Sequence, residues 1–153
     1  MICNFQLLTQ SAKLPCKNHE DDAGIDFFSD QAHLLHPEEH FAFSTGVSWE
    51  PYFDAREYAF GLHNFFKVYM QIQGRSGLAV RDGITVMGGV IDFSYRGDIK
   101  IILLNTSGEN VEITKGMKIA QGIVLFTPNI LIKMTDYVTK TARGKMGFGS
   151  SGN

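Results

Sequence analysis

The sequence predicts an all-β protein, because short strand-like runs alternate with turn residues along most of its 153 residues. Residues 67–73 alternate apolar and polar side chains, which is the pattern of a strand with one buried face. Residues 99–105 and 119–126 are nearly continuous apolar runs, which are typical of buried strands. Gly, Asn, Asp and Pro separate these runs and favour turns. We therefore expect a barrel or a sandwich of short strands.

Weaker signals define the remaining elements. Further strands are predicted at residues 5–8, 40–49 and 130–134. One short helix is predicted over 76–81, where Gly83 would end it. The segment 54–69 carries many aromatic residues and one glycine, and its pattern is ambiguous.

The length favours a single domain, residues 1–153, that is large enough to have a hydrophobic core. The composition is that of an ordinary soluble globular protein. The formal net charge of -2 argues against a dedicated nucleic-acid binder, which usually carries a basic excess. Cys3 and Cys16 form neither a CxxC pair nor a disulfide framework. We therefore expect the protein to be located in the cytoplasm, or in the interior of a host cell if it is viral. A signal peptide and a membrane-spanning run are both absent from the sequence pattern, so we expect no membrane partner.

The last part of the chain, residues 139–153, differs in composition, being rich in Gly, Ser and Lys. Such a composition favours a mobile tail. Arg143 offers a planar cationic group that suits phosphate oxygens, and Phe148 could cover a flat ring by stacking. The neighbouring glycines would let backbone N–H groups approach an anion closely. A tail without any function is the simpler alternative.

Residues 73–77 (QGRSG) follow an alternating strand and open the predicted helix. Backbone N–H groups at such a position, together with the Ser76 hydroxyl and the Arg75 guanidinium, would suit a phosphate. A capped turn with a solvated Arg75 is the simpler alternative.

Residues 88–97 (GGVIDFSYRG) lie between two strand candidates and predict a hairpin with Asp92 near its tip. A positioned carboxylate can take a proton from water and act as a general base. Asp is also a common turn former, so this residue decides nothing by itself.

Five segments, taken in order, resemble the five motifs of the trimeric dUTPases: AGID (23–26), GRSGLA (74–79), GVIDFSYRG (89–97), KIAQ (118–121) and RGKMGFGSSG (143–152). They span nearly the whole chain. The resemblance implies a jelly-roll-like all-β subunit with a distorted barrel, a homotrimer, and hydrolysis of dUTP to dUMP and pyrophosphate. It also implies three sites at subunit interfaces, each closed by the C-terminal tail of one subunit.

The resemblance implies roles for the residues near Asp92. Asp92 would be the general base that orients and deprotonates the water attacking the α-phosphorus. Tyr95 would pack under the deoxyribose and leave no room for a 2′-hydroxyl group. Lys100 would make a further contact to the base. Three consecutive residues would read the uracil edge through their backbone: Gly89, Val90 and Ile91.

The resemblance also implies a set of phosphate contacts. Arg75, Ser76 and Gly77 would hold phosphates, and Gln121 would assist at the phosphates or the water. In the tail, the γ-phosphate, the uracil ring and the terminal phosphate oxygens would be contacted by Arg143, Phe148, Gly149 and Ser150. Mg²⁺ would sit on the triphosphate itself, and Asp26 would contact it at most through water.

The sequence departs from the family pattern in a few places. Gly74 stands where the family usually has Pro, Met87 stands where a small residue often begins the uracil hairpin, and Ser151 replaces a frequent Thr. The largest departure is an insertion at residues 51–67, which is dense in aromatic residues and predicts a protein contact surface. A hairpin or short helix that covers its own core is the simpler alternative.

Two other functions stay open. A dCTP deaminase, or a bifunctional deaminase–diphosphatase, shares the fold. A regulatory protein on the same scaffold would use the nucleotide as a switch and residues 51–67 to contact a partner. The pattern GVID-x-x-YRG and the complete Gly-rich tail favour a plain dUTPase.

Overall fold

The computed structural model describes residues 1–145, which form eleven strands and three short helices. The strands are β1 (Ile2–Leu7), β2 (Ile25–Phe28), β3 (His33–Leu35), β4 (His40–Ser44), β5 (Val47–Tyr52), β6 (Phe66–Gln73), β7 (Ile84–Met87), β8 (Val90–Asp92), β9 (Lys100–Asn105), β10 (Val111–Ile113) and β11 (Lys118–Pro128). The helices are α1 (Ala55–Ala59), α2 (Leu62–Phe65) and α3 (Ser76–Asp82). The all-β prediction is confirmed.

The strands pair antiparallel in four sheets. The largest has the order β2-β11-β6-β8, and a second has the order β4-β9-β7. Two pairs, β1-β5 and β3-β10, complete the arrangement. Within residues 1–145 these sheets pack around a common core and do not close into one continuous barrel.

The core lies between the inner faces of these sheets. In β6 the side chains of Val68, Met70 and Ile72 are buried while their neighbours are not, so the predicted alternation is confirmed. In β9 only alternate residues are buried, and Ile102 is partly exposed, although its sequence is a continuous apolar run. The outer face of β9 is therefore only partly covered by the described part of this chain.

Local chemistry explains where the helices begin and end. Asp54 caps α1 through its side chain, and the Glu57 carboxylate accepts a hydrogen bond from the Asp54 backbone N–H, which completes a capping box. Gly83 ends α3 in the left-handed conformation (φ 66°), as the sequence predicts. Three helices form instead of the single predicted one, because the ambiguous segment contains α1 and α2 before β6 begins.

Two strand predictions were wrong in detail. Residues 40–49 do not form one strand, because Gly46 adopts a positive φ of 64° and turns the chain from β4 into β5. Residues 130–134 form no strand, and their apolar side chains are exposed. A strand needs a hydrogen-bonding neighbour, and the described part of this chain offers none to that segment. No helix within residues 1–145 has the length and apolar character needed to cross a membrane.

Candidate active site

A cleft of about 680 Å³ brings together predicted residues from three separate segments. We call it the cationic cleft, because Arg75, Arg81 and Lys118 line it. The predicted residues that it gathers are Asp26, Arg75, Ser76, Gly77 and Gln121.

Strand β11 assembles this cleft because it pairs with β2 on one edge and with β6 on the other. Gln121 lies opposite Asp26 in β2 and opposite Gln73 in β6. Its Nε2 donates to the carbonyl oxygen of Gly74 at 3.1 Å, which fixes the loop that follows β6. Gly24 has no room for a Cβ, which would overlap the end of the Gln121 side chain. The first, second and fourth motifs therefore meet at one residue.

The Asp26 carboxylate is the centre of the charge network in the cationic cleft. It is buried, with 7% of the residue exposed. Lys118 Nζ lies 2.8 Å and Asn18 Nδ2 lies 2.8 Å from Oδ2, and Arg75 Nε lies 3.3 Å from Oδ1. Burial raises the pKa of Asp26, but the hydrogen bonds from Lys118 and Asn18 and the charge of Arg75 outweigh it and lower the pKa below its ordinary value. Asp26 is therefore held ionised.

The same network also positions the Arg75 side chain. Besides its ion pair with Asp26, Arg75 Nη1 donates to the backbone carbonyl of Lys118 at 3.3 Å. Arg75 is the N-cap residue of α3 and makes no side-chain cap hydrogen bond. The alternative of a capped turn with a solvated arginine is therefore wrong.

The cationic cleft does not offer a complete set of metal ligands. Among the described residues no cluster of three or more His, Cys, Asp or Glu could hold a metal ion. Asp26 contacts two cations, and Oδ2 of Asp22 accepts from the backbone N–H groups of Asn18 and His19. Mg²⁺ would fit here only if phosphate groups of a ligand supplied most of its oxygens.

A second cleft, of about 190 Å³, surrounds Asp92. We call it the Asp92 cleft. Its lining consists of five predicted residues, namely Val90, Ile91, Asp92, Tyr95 and Lys100. Asp92 is exposed at the end of β8, and its backbone carbonyl accepts from the N–H group of Tyr95 at 3.1 Å.

A rigid turn positions the Tyr95 ring in this cleft. Its hydroxyl group donates to the carbonyl oxygen of Asp98 at 2.9 Å. A Cβ at Gly97 would lie 2.5 Å from the Tyr95 hydroxyl oxygen, so only glycine permits this ring position. Arg96 Nη1 donates to the carbonyls of Phe93 at 2.6 Å and Tyr95 at 3.1 Å, which clamps the turn. These contacts hold the Tyr95 ring in the cleft without a ligand.

The predicted hairpin over residues 88–97 was wrong. β8 pairs with β6, whereas β7 before it and β9 after it pair with each other in another sheet, so Asp92 at the end of β8 does not lie at the tip of a hairpin. Gly89 (φ 110°) makes this change of sheet possible, because a Cβ there would lie 2.8 Å from the backbone oxygen of Ile72. The Ile72 N–H group donates to the Gly89 carbonyl at 2.7 Å and holds the two segments together. Gly89 therefore sits beside the Asp92 cleft without lining it.

Comparison with known proteins identifies the family. The family model for dUTPase matches residues 10–152. The deoxyuridine 5′-triphosphate nucleotidohydrolase of Clostridium tetani is 38% identical over 150 residues, which cover 97% of this chain and 94% of that protein. That of Clostridium novyi is 38% identical over 145 residues, covering 94% and 93%. The chain belongs to the dUTPase family.

Solved structures of the dUTPase family share the fold. The dUTPase of Staphylococcus bacteriophage 80alpha with dUpNHpp superposes with a TM-score of 0.82 at 24% identity, covering 99% of both chains. The dUTPase of S. aureus phage phi11, described with its species-specific insert, superposes with a TM-score of 0.75 at 21% identity, covering 90% of this chain and 98% of that chain. The jelly-roll-like fold expected from the motifs is therefore confirmed.

Within this dUTPase-family chain the two clefts share no lining residue. Arg143 lies within the described residues and is exposed, and it lines neither cleft. Phe148, Gly149 and Ser150, which are predicted to contact the nucleotide, lie outside the described residues.

Sequence reasoning missed several residues of the dUTPase site. Lys118 and Asn18 bind Asp26, and Arg96 clamps the turn that carries Tyr95. Lys118 opens the fourth motif, so its place in a motif was the available signal. Arg96 stands in the third motif, which was likewise the available signal. For Asn18 the sequence carried no signal, because its contact with Asp26 depends on how the chain folds back on itself.

Proposed function

We propose that this chain hydrolyses dUTP to dUMP and pyrophosphate, which removes a source of uracil in DNA and supplies dUMP for dTMP synthesis. The observation that carries the proposal is the division of the predicted residues between two clefts. The cationic cleft gathers cationic side chains that suit phosphate oxygens, and the Asp92 cleft places an aromatic ring beside a carboxylate, as a nucleoside site with a general base requires. The dUTP nucleotidohydrolases at 36–38% identity over nearly the whole chain support it.

Asp92 is the general base in this proposal. Its carboxylate takes a proton from a water molecule, the water oxygen attacks the α-phosphorus, and the bond from that phosphorus to the bridging oxygen breaks to release pyrophosphate. Catalysis of this kind depends mainly on positioning and on stabilising charge at the phosphates. The exposed end of β8 gives the carboxylate access to water.

The Asp92 cleft selects the nucleoside. The Tyr95 ring, held by its hydrogen bond to Asp98, packs under the deoxyribose and leaves no space for a 2′-hydroxyl group. The backbone of Val90 and Ile91 in this cleft, together with that of Gly89 beside it, reads the uracil edge and excludes a 5-methyl group, and Lys100 adds a contact to the base.

The cationic cleft binds the phosphates. Arg75, Ser76 and Gly77 hold phosphate oxygens, and Gln121 fixes their loop through Gly74. Mg²⁺, when bound, neutralises charge on the triphosphate, and Asp26 faces it at most through water. The tail residues complete the site: Arg143 reaches the γ-phosphate, Phe148 stacks on uracil, and Gly149 and Ser150 bind terminal oxygens.

The active form is a homotrimer in this proposal, with each site shared between subunits. Separate clefts with different lining residues support sharing, since one chain places the phosphate-binding and nucleoside-binding residues in different concavities. Apolar side chains on the outer faces, such as Val80, Val90 and Ile132, are exposed in the single chain and would be covered by neighbours. The reaction takes place in the cytoplasm or in a host cell, where the free Cys3 and Cys16 stay reduced.

Residues 51–67 are a second functional surface in this proposal, which contacts a protein partner. The observation that favours it is the exposure of Tyr58, Phe60 and Phe65, each more than half exposed, on and beside α1 and α2. Deleting the whole segment would remove residues of β5 and β6, so substitution is the better test. Replacing these three aromatics by Ser is expected to leave dUTP turnover unchanged and to abolish partner binding; loss of turnover would assign them to the enzyme instead.

The activity is tested by pyrophosphate release with Mg²⁺, comparing dUTP with dCTP, dTTP and UTP. Release from dUTP alone is expected, and Asp92→Asn should retain nucleotide binding while losing turnover by about 10² or more. Ammonia release from dCTP would support the deaminase instead. Nucleotide binding without any product would support a nucleotide-switched regulatory protein.

A further inference from the structure

The three cations of the cationic cleft differ in how their charges are matched. Arg81 binds both carboxylate oxygens of Asp82, through Nε at 2.9 Å and Nη2 at 2.6 Å, so its charge is matched within its own helix. Arg75 and Lys118 both contact the single carboxylate of Asp26. Asp22 also lines the cleft, but its Oδ2 accepts from the backbone N–H groups of Asn18 and His19, so the two cations share one carboxylate at this point of the cleft.

An irregularity in β11 turns Lys118 toward the cleft. Side chains at positions 118 and 121 of a regular strand would point to opposite faces, because the side-chain period is two residues. The register between β11 and β2 shifts between Lys118 and Ala120, and as a result Lys118 and Gln121 line the same cleft. Bulges of this kind re-aim side chains at sheet edges and near functional sites.

The surroundings of the Lys118 ammonium leave it able to bind an anion. An ammonium group has three N–H donors. Asp26 Oδ2 and Asn18 Oδ1 are the acceptors in contact with it, and the Phe28 ring centre lies 5.8 Å away. The side chain is 27% exposed, and Ser76 and Gly77 line the same cleft. A phosphate oxygen can therefore accept the third N–H group without breaking the pair with Asp26.

We propose that Lys118 is a further substrate-binding residue, whose ammonium group binds the phosphate chain beside Arg75. Asp26 is a positioning residue in this arrangement, because it holds both cations at the cleft wall. The inference rests on the proposed function for the identity of the nucleotide. The phosphate chemistry can be tested with ligands that are not hydrolysed.

Lys118→Gln removes the charge, and Lys118→Arg keeps it. Lys118→Gln is expected to weaken binding of dUpNHpp about tenfold, because a charge-assisted hydrogen bond is lost, and to change dUMP binding less than twofold. KM should rise more than kcat falls, and Lys118→Arg should restore most of the affinity. Lys115→Gln is the matched control, since Lys115 Nζ pairs with Asp30 Oδ1 at 3.5 Å and does not line the cationic cleft.

The alternative is that Lys118 only supports the fold through Asp26. Equal losses for dUMP and dUpNHpp, or unchanged dUpNHpp binding in folded Lys118→Gln, would overturn the proposal. Amine labelling of the wild-type protein removes any dependence on how the variant folds. Inorganic tripolyphosphate and dUpNHpp should protect Lys118 from an acylating reagent and leave Lys115 reactive. If neither ligand protects Lys118, the binding role is refuted as well.

The two failures can be told apart. If the wild-type protein releases no pyrophosphate from dUTP, the proposed function fails. Protection of Lys118 by tripolyphosphate still decides whether this lysine binds a phosphate chain.

Discussion

Gln121 Nε2 donates to the carbonyl oxygen of Gly74 at 3.1 Å, and this hydrogen bond joins the central strand of the largest sheet to the loop that carries Arg75. Gly74 has no side chain to restrict its φ. The hydrogen bond from Gln121 to its carbonyl therefore restrains the loop. In the proposed reaction its main contribution is thus to hold the phosphate-binding loop in place.

Gly24→Ala is expected to lower turnover while leaving the protein folded. The added Cβ would overlap the Gln121 amide, which is the end of a flexible side chain and can rotate away at the cost of its bond to Gly74. Loss of that bond should cost about 0.5–1.5 kcal/mol in stability. Because the loop then moves, kcat/KM for dUTP should fall by about tenfold or more.

Gly108→Ala is the matched control for this variant, because a Cβ at Gly108 meets nothing within 4 Å. Thermal unfolding and steady-state kinetics of the two variants make the comparison. Wild-type kinetics in Gly24→Ala would show that the Gln121–Gly74 bond is not needed for turnover.

Gly89→Ala should be far more damaging than Gly88→Ala. Both glycines have positive φ, 110° and 68°, so both variants carry backbone strain of about 1–2 kcal/mol. Only at Gly89 would the Cβ meet a backbone atom, the Ile72 oxygen at 2.8 Å, whereas nothing lies within 4 Å of a Cβ at Gly88. The pairing of β8 with β6 should loosen in Gly89→Ala alone.

Two measurements check this pair. Tm should fall by several degrees more in Gly89→Ala than in Gly88→Ala, and dUMP affinity should fall only in Gly89→Ala because the Asp92 cleft is distorted. Equal effects of the two substitutions would mean that the close approach to Ile72 is relieved by a small shift of the chain.

The sequence predicted local features of the fold well. Alternation located β6, and Gly83 marked the end of α3, because strand periodicity and a left-handed cap are properties of neighbouring residues. The hairpin at 88–97 was wrong for the same reason. A hairpin is the local solution for two adjacent strands, but β8 gains more by pairing with Met70 and its neighbours in β6, and the sequence does not encode that choice locally.

The candidate site divides in the same way. Motif residues such as Arg75 and Asp92 could be identified because their order along the chain matches a known family. The contacts between site residues could not be predicted, since those of Asp26 with Lys118 and Asn18 depend on the pairing of β2 with β11 and on a register shift. The run at 130–134 was misjudged because a strand requires a neighbour, and the described part of one chain does not contain it.

Asp26 should contribute a pH-dependent part of the stability. Its pKa is lowered in the folded protein, because the bonds from Lys118 and Asn18 and the charge of Arg75 outweigh burial. A lowered pKa adds stability that is fully present above the unfolded value of about 3.9 and is lost as pH falls toward the folded pKa. Asp26→Asn removes this part and should cost about 1–3 kcal/mol at pH 7.

Urea unfolding of wild type and Asp26→Asn at one protomer concentration, from pH 7 to pH 3, measures this contribution. The difference in unfolding free energy should be constant down to about pH 5 and shrink below it. Asp30, whose pKa is also lowered, is present in both proteins and cancels in the difference. A gap that stays constant to pH 3 would mean that the ionised carboxylate adds nothing to stability.

Mixing two inactive variants tests whether the site is shared between subunits. Arg75→Ala disables the cationic cleft, and Asp92→Asn disables the Asp92 cleft. Suppose that each site combines clefts from different subunits and that the two variants are co-refolded in equal amounts. About a quarter of the sites should then contain both a wild-type Arg75 and a wild-type Asp92. dUTP turnover should therefore return to about a quarter of the wild-type value, although each variant alone is inactive.

The matched control mixes Asp92→Asn with Tyr95→Ala. Both residues line the same cleft of one chain, so every site in that mixture carries one damaged residue and no activity should return. Recovery with the first pair and none with the second requires that the nucleoside and the phosphates are bound by different subunits. No recovery with either pair, in mixed trimers verified by two affinity tags, would place the whole site within one chain and remove the reason to expect that activity depends on assembly.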